Sequence, residues 1–218
     1  MTQRLAAGLD RQTFANRPER DATSGGLRSA LRDGSRMAHD QLDTGFSSLD
    51  LGYDGDYAVF LLAHEQGLRW IFDHIDRAAP IPTAQALMPA MLDALGNDIM
   101  ALGHQPLPQN PSDNAVLLCP WAVDYVVLGS RLGTEVLRRR RAAAVASAQT
   151  HTPADSYFAL PFDAAMWREF CVMASQVCDR DPVAKRAIAD TKACFAAFDL
   201  SLTQSRRHMS RAPTEHML

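Results

Sequence analysis

The chain has 218 residues, of which 47% are hydrophobic, and a formal net charge of −3. That is enough apolar material for one sizeable core, and it excludes wholesale disorder. The charge balance argues against a general nucleic-acid binder. The longest apolar run, around 116–123, is too short to cross a bilayer and contains Pro120.

Residues 1–26 are polar and mix arginines with acids around no apolar centre. They read as a mobile or loosely helical tail rather than a secretory signal. Four cysteines, Cys119, Cys171, Cys178 and Cys194, form no C-x-x-C pair and read as reduced thiols of a cytoplasmic protein. Two helical turns would hold Cys171 and Cys178 about 10 Å apart, too far for a disulfide.

After Gly26 the hydrophobic period becomes helical. Leu27, Leu31, Ser35, Ala38, Leu42 and Phe46 recur three or four apart and predict a first amphipathic helix. A second is expected over 55–78, with Leu61, Leu68, Ile71 and Ile75 on one stripe and Pro80-Ile81-Pro82 ending it. Thr83 is a candidate N-cap for a third helix carrying Leu87, Met91, Leu95, Ile99 and Leu102. Beyond a proline-rich loop, a long fourth helix is expected from Ser112 or Asp113 to about Val145, bent near Pro120. A polar loop over 147–161 precedes two last helices. Met166, Phe170, Met173 and Val177 mark the fifth; Ile188, Thr191, Phe195, Phe198 and Leu202 mark the sixth. No run alternates with period two. The expectation is a single all-α domain over 27–203, with a polar tail fraying over 204–218.

On the first helix, Arg32, Ser35, Arg36, His39, Leu42, Asp43 and Phe46 share one face. A histidine in such a stripe is commonly a core or surface residue. It can also be a metal ligand, and a ligating imidazole gives its second N–H to an acceptor, a place Asp43 could fill one turn on. Arg36 and Arg32 put positive charge about 5–10 Å along the same helix, which would suit an apolar ring with carboxylates on one edge, such as heme. The fourth helix carries Gly129 and Gly133 one turn apart. Each costs about 1 kcal/mol against alanine in a helix interior. Their use is either close helix packing or a backbone surface open to something flat.

Taken together, these segments carry a resemblance. Leu31-Arg32-x-x-Ser35-x-x-x-His39-x-x-Leu42-Asp43 resembles the proximal helix of heme oxygenases. Tyr125-Val126-x-x-Gly129-Ser130-Arg131-Leu132-Gly133 resembles their distal helix, most closely in the bacterial, phytochrome-associated branch. Trp167, Phe170, Ala187, Ala193 and Phe195 fit the C-terminal part, so the likeness runs from Leu27 to Phe198. It implies a helical bundle with heme, substrate and cofactor at once, between the first core helix and the glycine-bearing helix. It implies His39 as the axial iron ligand, Asp43 as its partner and Arg32 at the propionates, with Arg36 beside it. Tyr125 and Thr134 would line the heme site, and Gly129, Ser130 and Gly133 would form the catalytic distal side. The implied activity is oxidative opening of heme to biliverdin, with release of carbon monoxide and iron. Electrons would come from a reductase or ferredoxin, and a bacteriophytochrome is the implied acceptor of biliverdin.

The sequence departs from the pattern in places. Ser130 stands where animal members carry an aspartate, and Thr134 where a glycine commonly follows. Cys171 stands near a usual basic propionate contact, with Arg168 as a substitute. These departures leave a second expectation open, a non-catalytic heme-binding or interaction protein that keeps the fold. Arg138, Arg139, Arg140 and Arg141 read either as a solvated helix end or as a docking patch for an acidic electron donor. His64 reads as a packed or surface residue. His104 and His151 carry no pattern.

Overall fold

A computed structural model of the chain describes residues 26–80, 82–109, 116–147 and 154–211. The proposed N-terminal tail, His151 and the expected start of the fourth helix at Ser112 or Asp113 lie outside them. Seven α-helices are present among the described residues: α1 (Leu27–Ser47), α2 (Asp54–Asp73), α3 (Met88–Ala101), α4 (Pro120–Ser147), α5 (Ser156–Ala159), α6 (Ala164–Gln176) and α7 (Pro182–Arg211). Among those residues there is no strand, only two isolated bridges. The protein is all-helical. None of the described helices is long and apolar enough to cross a membrane.

The core is built around α2. From Tyr57 to Leu68 every residue is buried, including His64, Glu65 and Gln66. A helix apolar on most of its circumference has neighbours on all sides. Here α7 lies along α2 and also contacts α1 and α4, while α3 covers another side of α2. Glycines set how closely α7 sits. A Cβ on Gly67 would come within 2.6 Å of the Phe198 ring, and one on Gly34 or Gly45 within 2.8 Å of Ile188 or Leu202.

Several boundaries differ from the sequence pattern, each for a tertiary reason. The second helix stops at Asp73 instead of 78. There the His74 carbonyl accepts the Leu118 N–H at 2.7 Å, and the Asp76 N–H returns to the Leu118 carbonyl at 3.1 Å. Thr83 opens a short 3-10 turn (Thr83–Ala86) rather than capping the third helix. α3 begins at Met88, with Pro89 in its first turn, where a missing N–H costs nothing. Pro120 starts α4 instead of bending it, and residues 116–119 are not helical. On α6, Met173 faces outward, and Ala174 takes the buried position beside Phe170. Val177 leaves the helix, and its carbonyl accepts the Leu27 N–H at 2.9 Å. α7 continues past Gln204 to Arg211. Ser205 is buried, and Arg206 donates to the Gly45 carbonyl at 2.8 Å and to Ser48 at 2.7 Å.

The arginine run at 138–141 splits around the helix. Arg138 and Arg139 both bind Glu135. Arg141 is buried, with its guanidinium 3.4 Å from the Tyr57 ring centre, and it is bonded to Asp155 at 3.0 Å and to the Leu51 carbonyl at 2.8 Å. It holds α4 against the start of α2 and is not part of any exposed patch.

The tight seat of α7 on α2 makes a direct prediction. Gly67→Ala forces its methyl against a buried ring, and chemical denaturation should show a loss of about 1–3 kcal/mol.

Candidate functional site

α1 and α4 both lean on α7, and a cavity of about 300 Å³ opens between them. That lies at the small end of the range for ligand pockets. His39, Asp43 and Phe46 from α1 form one wall; Tyr125, Gly129, Ser130, Gly133 and Thr134 from α4 form another. Phe195 and Phe198 from α7 line it as well, with Trp167 from α6 and His64 from α2. The lining is mostly apolar, with a few polar groups.

The two glycines of α4 behave unlike those that seat α7. A Cβ on Gly133 would meet nothing within 4 Å, and one on Gly129 would touch only the Trp167 ring, at 3.5 Å. Close helix packing therefore does not account for them. They leave bare backbone along the cavity, on a different element from His39.

His39 is about half exposed, and its ring meets Phe195 edge-on with centres 5.7 Å apart. Its Nδ1 lies 3.5 Å from Asp40 Oδ1, so the acidic group beside it is Asp40 rather than Asp43. Asp43 lines the cavity itself. Arg32 and Arg36 are not among the cavity-lining residues. Both are largely exposed, Arg32 beside Asp33 at 2.9 Å and Arg36 beside Asp40 at 3.6 Å. Tyr125 packs against Trp167 and Phe170. Burial pushes its phenol pKa up, against the opposing effects of Ser35, Arg32 and Arg28.

The hydroxyls on the α4 wall are spoken for on one side. Ser130 Oγ donates to the Val127 carbonyl at 2.8 Å, and Thr134 Oγ1 donates to the Ser130 carbonyl at 2.9 Å. With their hydrogens committed to α4, both offer only lone pairs to the cavity. The wall thus presents acceptors, which suits a bound molecule or water that donates.

His64 is the residue whose role the sequence understated. It is 8% exposed, and burial holds its pKa down to about 4, so the ring is neutral. The signal was a titratable group directly after the apolar run 57–63 of α2. Cys171 and Arg168 are not among the cavity-lining residues. Among the described residues, no three His, Cys, Asp or Glu side chains gather to hold a metal ion. The cavity offers isolated imidazoles, those of His39 and His64, rather than a cluster of ligands.

No known family model matches the chain, and no curated protein matches it.

The open glycine and the buried histidine each generate a test. Gly133→Ala fills empty space and removes a helix-interior glycine, so it should raise the unfolding free energy by about 0.5–1 kcal/mol. A loss of stability on denaturation would mean that α4 packs there after all. For His64, the folded pKa of about 4 lies below the free value of 6.5. The unfolded chain takes up the proton first, so stability falls as pH drops from about 6.5 to about 4. His64→Leu should remove roughly 2–3 kcal/mol of that acid sensitivity, read from urea unfolding at both ends of the window.

Proposed function

We propose that this protein is a heme oxygenase that binds heme between α1 and α4, with His39 on the iron, and opens the ring to biliverdin, carbon monoxide and iron. The observation that carries this reading is the cavity itself. It brings His39 together with Gly129 and Gly133, residues far apart in the chain, and the glycines face open space instead of a helix. The all-helical architecture is the class that the resemblance implies, and a cytoplasmic location goes with it.

The residues present fit the group. His39 offers a ring nitrogen for iron, with Asp40 Oδ1 3.5 Å from its Nδ1. Phe195, Phe198 and Trp167 offer apolar faces to a flat macrocycle. Gly129 and Gly133 leave room for backbone to come close to it. Arg32 and Arg36, exposed on α1 in ion pairs with Asp33 and Asp40 of a kind that contributes little, would be the cations for the ligand's carboxylates. Ser130 and Thr134, acting as acceptors, orient water by taking one of its hydrogens and leaving the other for the substrate. When bound, heme supplies both the iron that activates oxygen and the carbon skeleton that is oxidised. Electrons come from an external reductase or ferredoxin. A bacteriophytochrome is the acceptor of biliverdin that fits this branch.

A second reading, heme binding without turnover, is favoured by one feature. Neither Ser130 nor Thr134 keeps a hydroxyl hydrogen free for the cavity, and neither is a carboxylate.

Added hemin should give a Soret band, and ascorbate or a ferredoxin system should then convert it to the absorption of biliverdin. A band without conversion selects the second reading; no band overturns both. His39→Ala should weaken hemin binding by at least the roughly 10–100-fold that follows loss of even a ligand's outer partner. Added imidazole should restore the axial band. Unchanged binding and turnover would remove His39 from the iron.

A further inference from the structure

Heme bound on His39 leaves His64, which lines the cavity from α2, without a task. The Nδ1 of His64 lies 3.0 Å from the Phe60 carbonyl. A carbonyl only accepts, so the ring hydrogen sits on Nδ1 and the neutral ring keeps a lone pair on Nε2. The rings of Phe60, Phe46 and Phe198 crowd the imidazole, with centres 4.0, 4.7 and 5.6 Å away. Nε2 has no partner among the described residues, yet it is not one of the buried atoms sealed off in that state. It therefore opens on the cavity that its ring lines.

The other buried polar residue among those lining the cavity is Thr134. Its hydroxyl hydrogen goes to the Ser130 carbonyl at 2.9 Å, so it too faces the space with lone pairs alone. Where the cavity is most enclosed, the chain thus offers hydrogen-bond acceptors between aromatic faces. A guest without donors strips water from these atoms and gives nothing back, which costs affinity. Substrate and product of ring opening differ in this respect. In heme all four ring nitrogens are bound to iron, and no N–H is left. In the opened, iron-free product the nitrogens are released. Pyrrole and lactam N–H groups then line the inner edge of a chain that can bend to present them.

We propose that His64 is a specificity-determining residue for a linear, metal-free tetrapyrrole: its Nε2 accepts a hydrogen bond from an N–H of the opened ring, a contact that heme cannot make. His64 thereby holds the product and adds nothing to the hold on the substrate. The contact needs neither the iron nor the carboxylates of the ligand. Binding of a linear tetrapyrrole stands by itself; its place as the product of turnover rests on the heme oxygenase reading.

The full-length, heme-free protein should bind biliverdin. His64→Leu should weaken that binding about 10-fold, the scale of one lost hydrogen bond, while hemin affinity stays within about threefold. His64→Gln, which keeps an acceptor, should recover most of the loss. Biliverdin dimethyl ester should be as sensitive to His64→Leu as the free acid, because the contact is to N–H. In the unmutated protein, nitrogen NMR of the His64 ring should show the Nδ1–H form, with Nε2 shifting as a hydrogen-bond acceptor when biliverdin is added. The assignment is overturned by absent biliverdin binding, by equal affinity in His64→Leu, by parallel losses of biliverdin and hemin, by an ester indifferent to His64, or by an Nε2–H ring. A protein that gives no Soret band with hemin but binds biliverdin through His64 loses the heme oxygenase reading and keeps this contact. One that turns hemin over while His64→Leu binds biliverdin unchanged keeps the reading and loses the contact.

Discussion

The position of everything in the site follows from how closely α7 approaches its neighbours. Gly34 and Gly45 on α1 and Gly67 on α2 leave no room for a side chain beneath Ile188, Leu202 and Phe198. Those contacts seat α7 in the middle of the bundle and make it a shared support for α1, α2 and α4. Once α7 is fixed, Phe195 and Phe198 project between α1 and α4, and the cavity forms above them. Glycine thus has two uses in this chain. On α1 and α2 it lets helices touch. On α4, at Gly129 and Gly133, it keeps a helix surface bare where nothing packs.

The cavity is a mostly apolar space with a particular polarity. His39 faces it as an accessible imidazole, and His64 as a buried neutral one. Ser130, Thr134 and Asp43 add lone pairs, with no cation among the lining residues. Nearby cations are held elsewhere: Arg131 on Leu160 and the Tyr157 ring, Arg141 on Asp155, Leu51 and the Tyr57 ring. Acceptors dominating an apolar space favour guests that donate hydrogen bonds or carry a metal, and they disfavour anionic groups deep inside. For the proposed heme, such a lining would favour keeping the carboxylates at the rim.

Helical period alone located most of the elements and many of the buried faces. Leu27, Leu31 and Ser35 on α1, Met91, Leu95 and Ile99 on α3, and Thr191, Phe195, Phe198 and Leu202 on α7 are buried as their spacing requires. The misjudged places were those where a distant segment intervened. Leu118 takes the carbonyl that would have continued α2, and Arg206 ties the end of α7 to α1 beyond the point where local polarity suggests fraying. Met173 and Ala174 exchanged roles because burial on α6 follows the neighbour it meets, not the size of the residue.

The sequence by itself determined the helical class, the placing of His39 with Asp43 on one helix face and the pairing of Gly129 with Gly133 on another. Spacing along a helix is local geometry, fixed by 3.6 residues per turn. Only the tertiary structure decided what those faces meet. It left Arg32 and Arg36 off the cavity wall and turned one arginine of four into a core contact. It also made His64 part of the cavity. These outcomes depend on where separate helices cross and which groups lose water there, and neither is encoded in the period of any single helix.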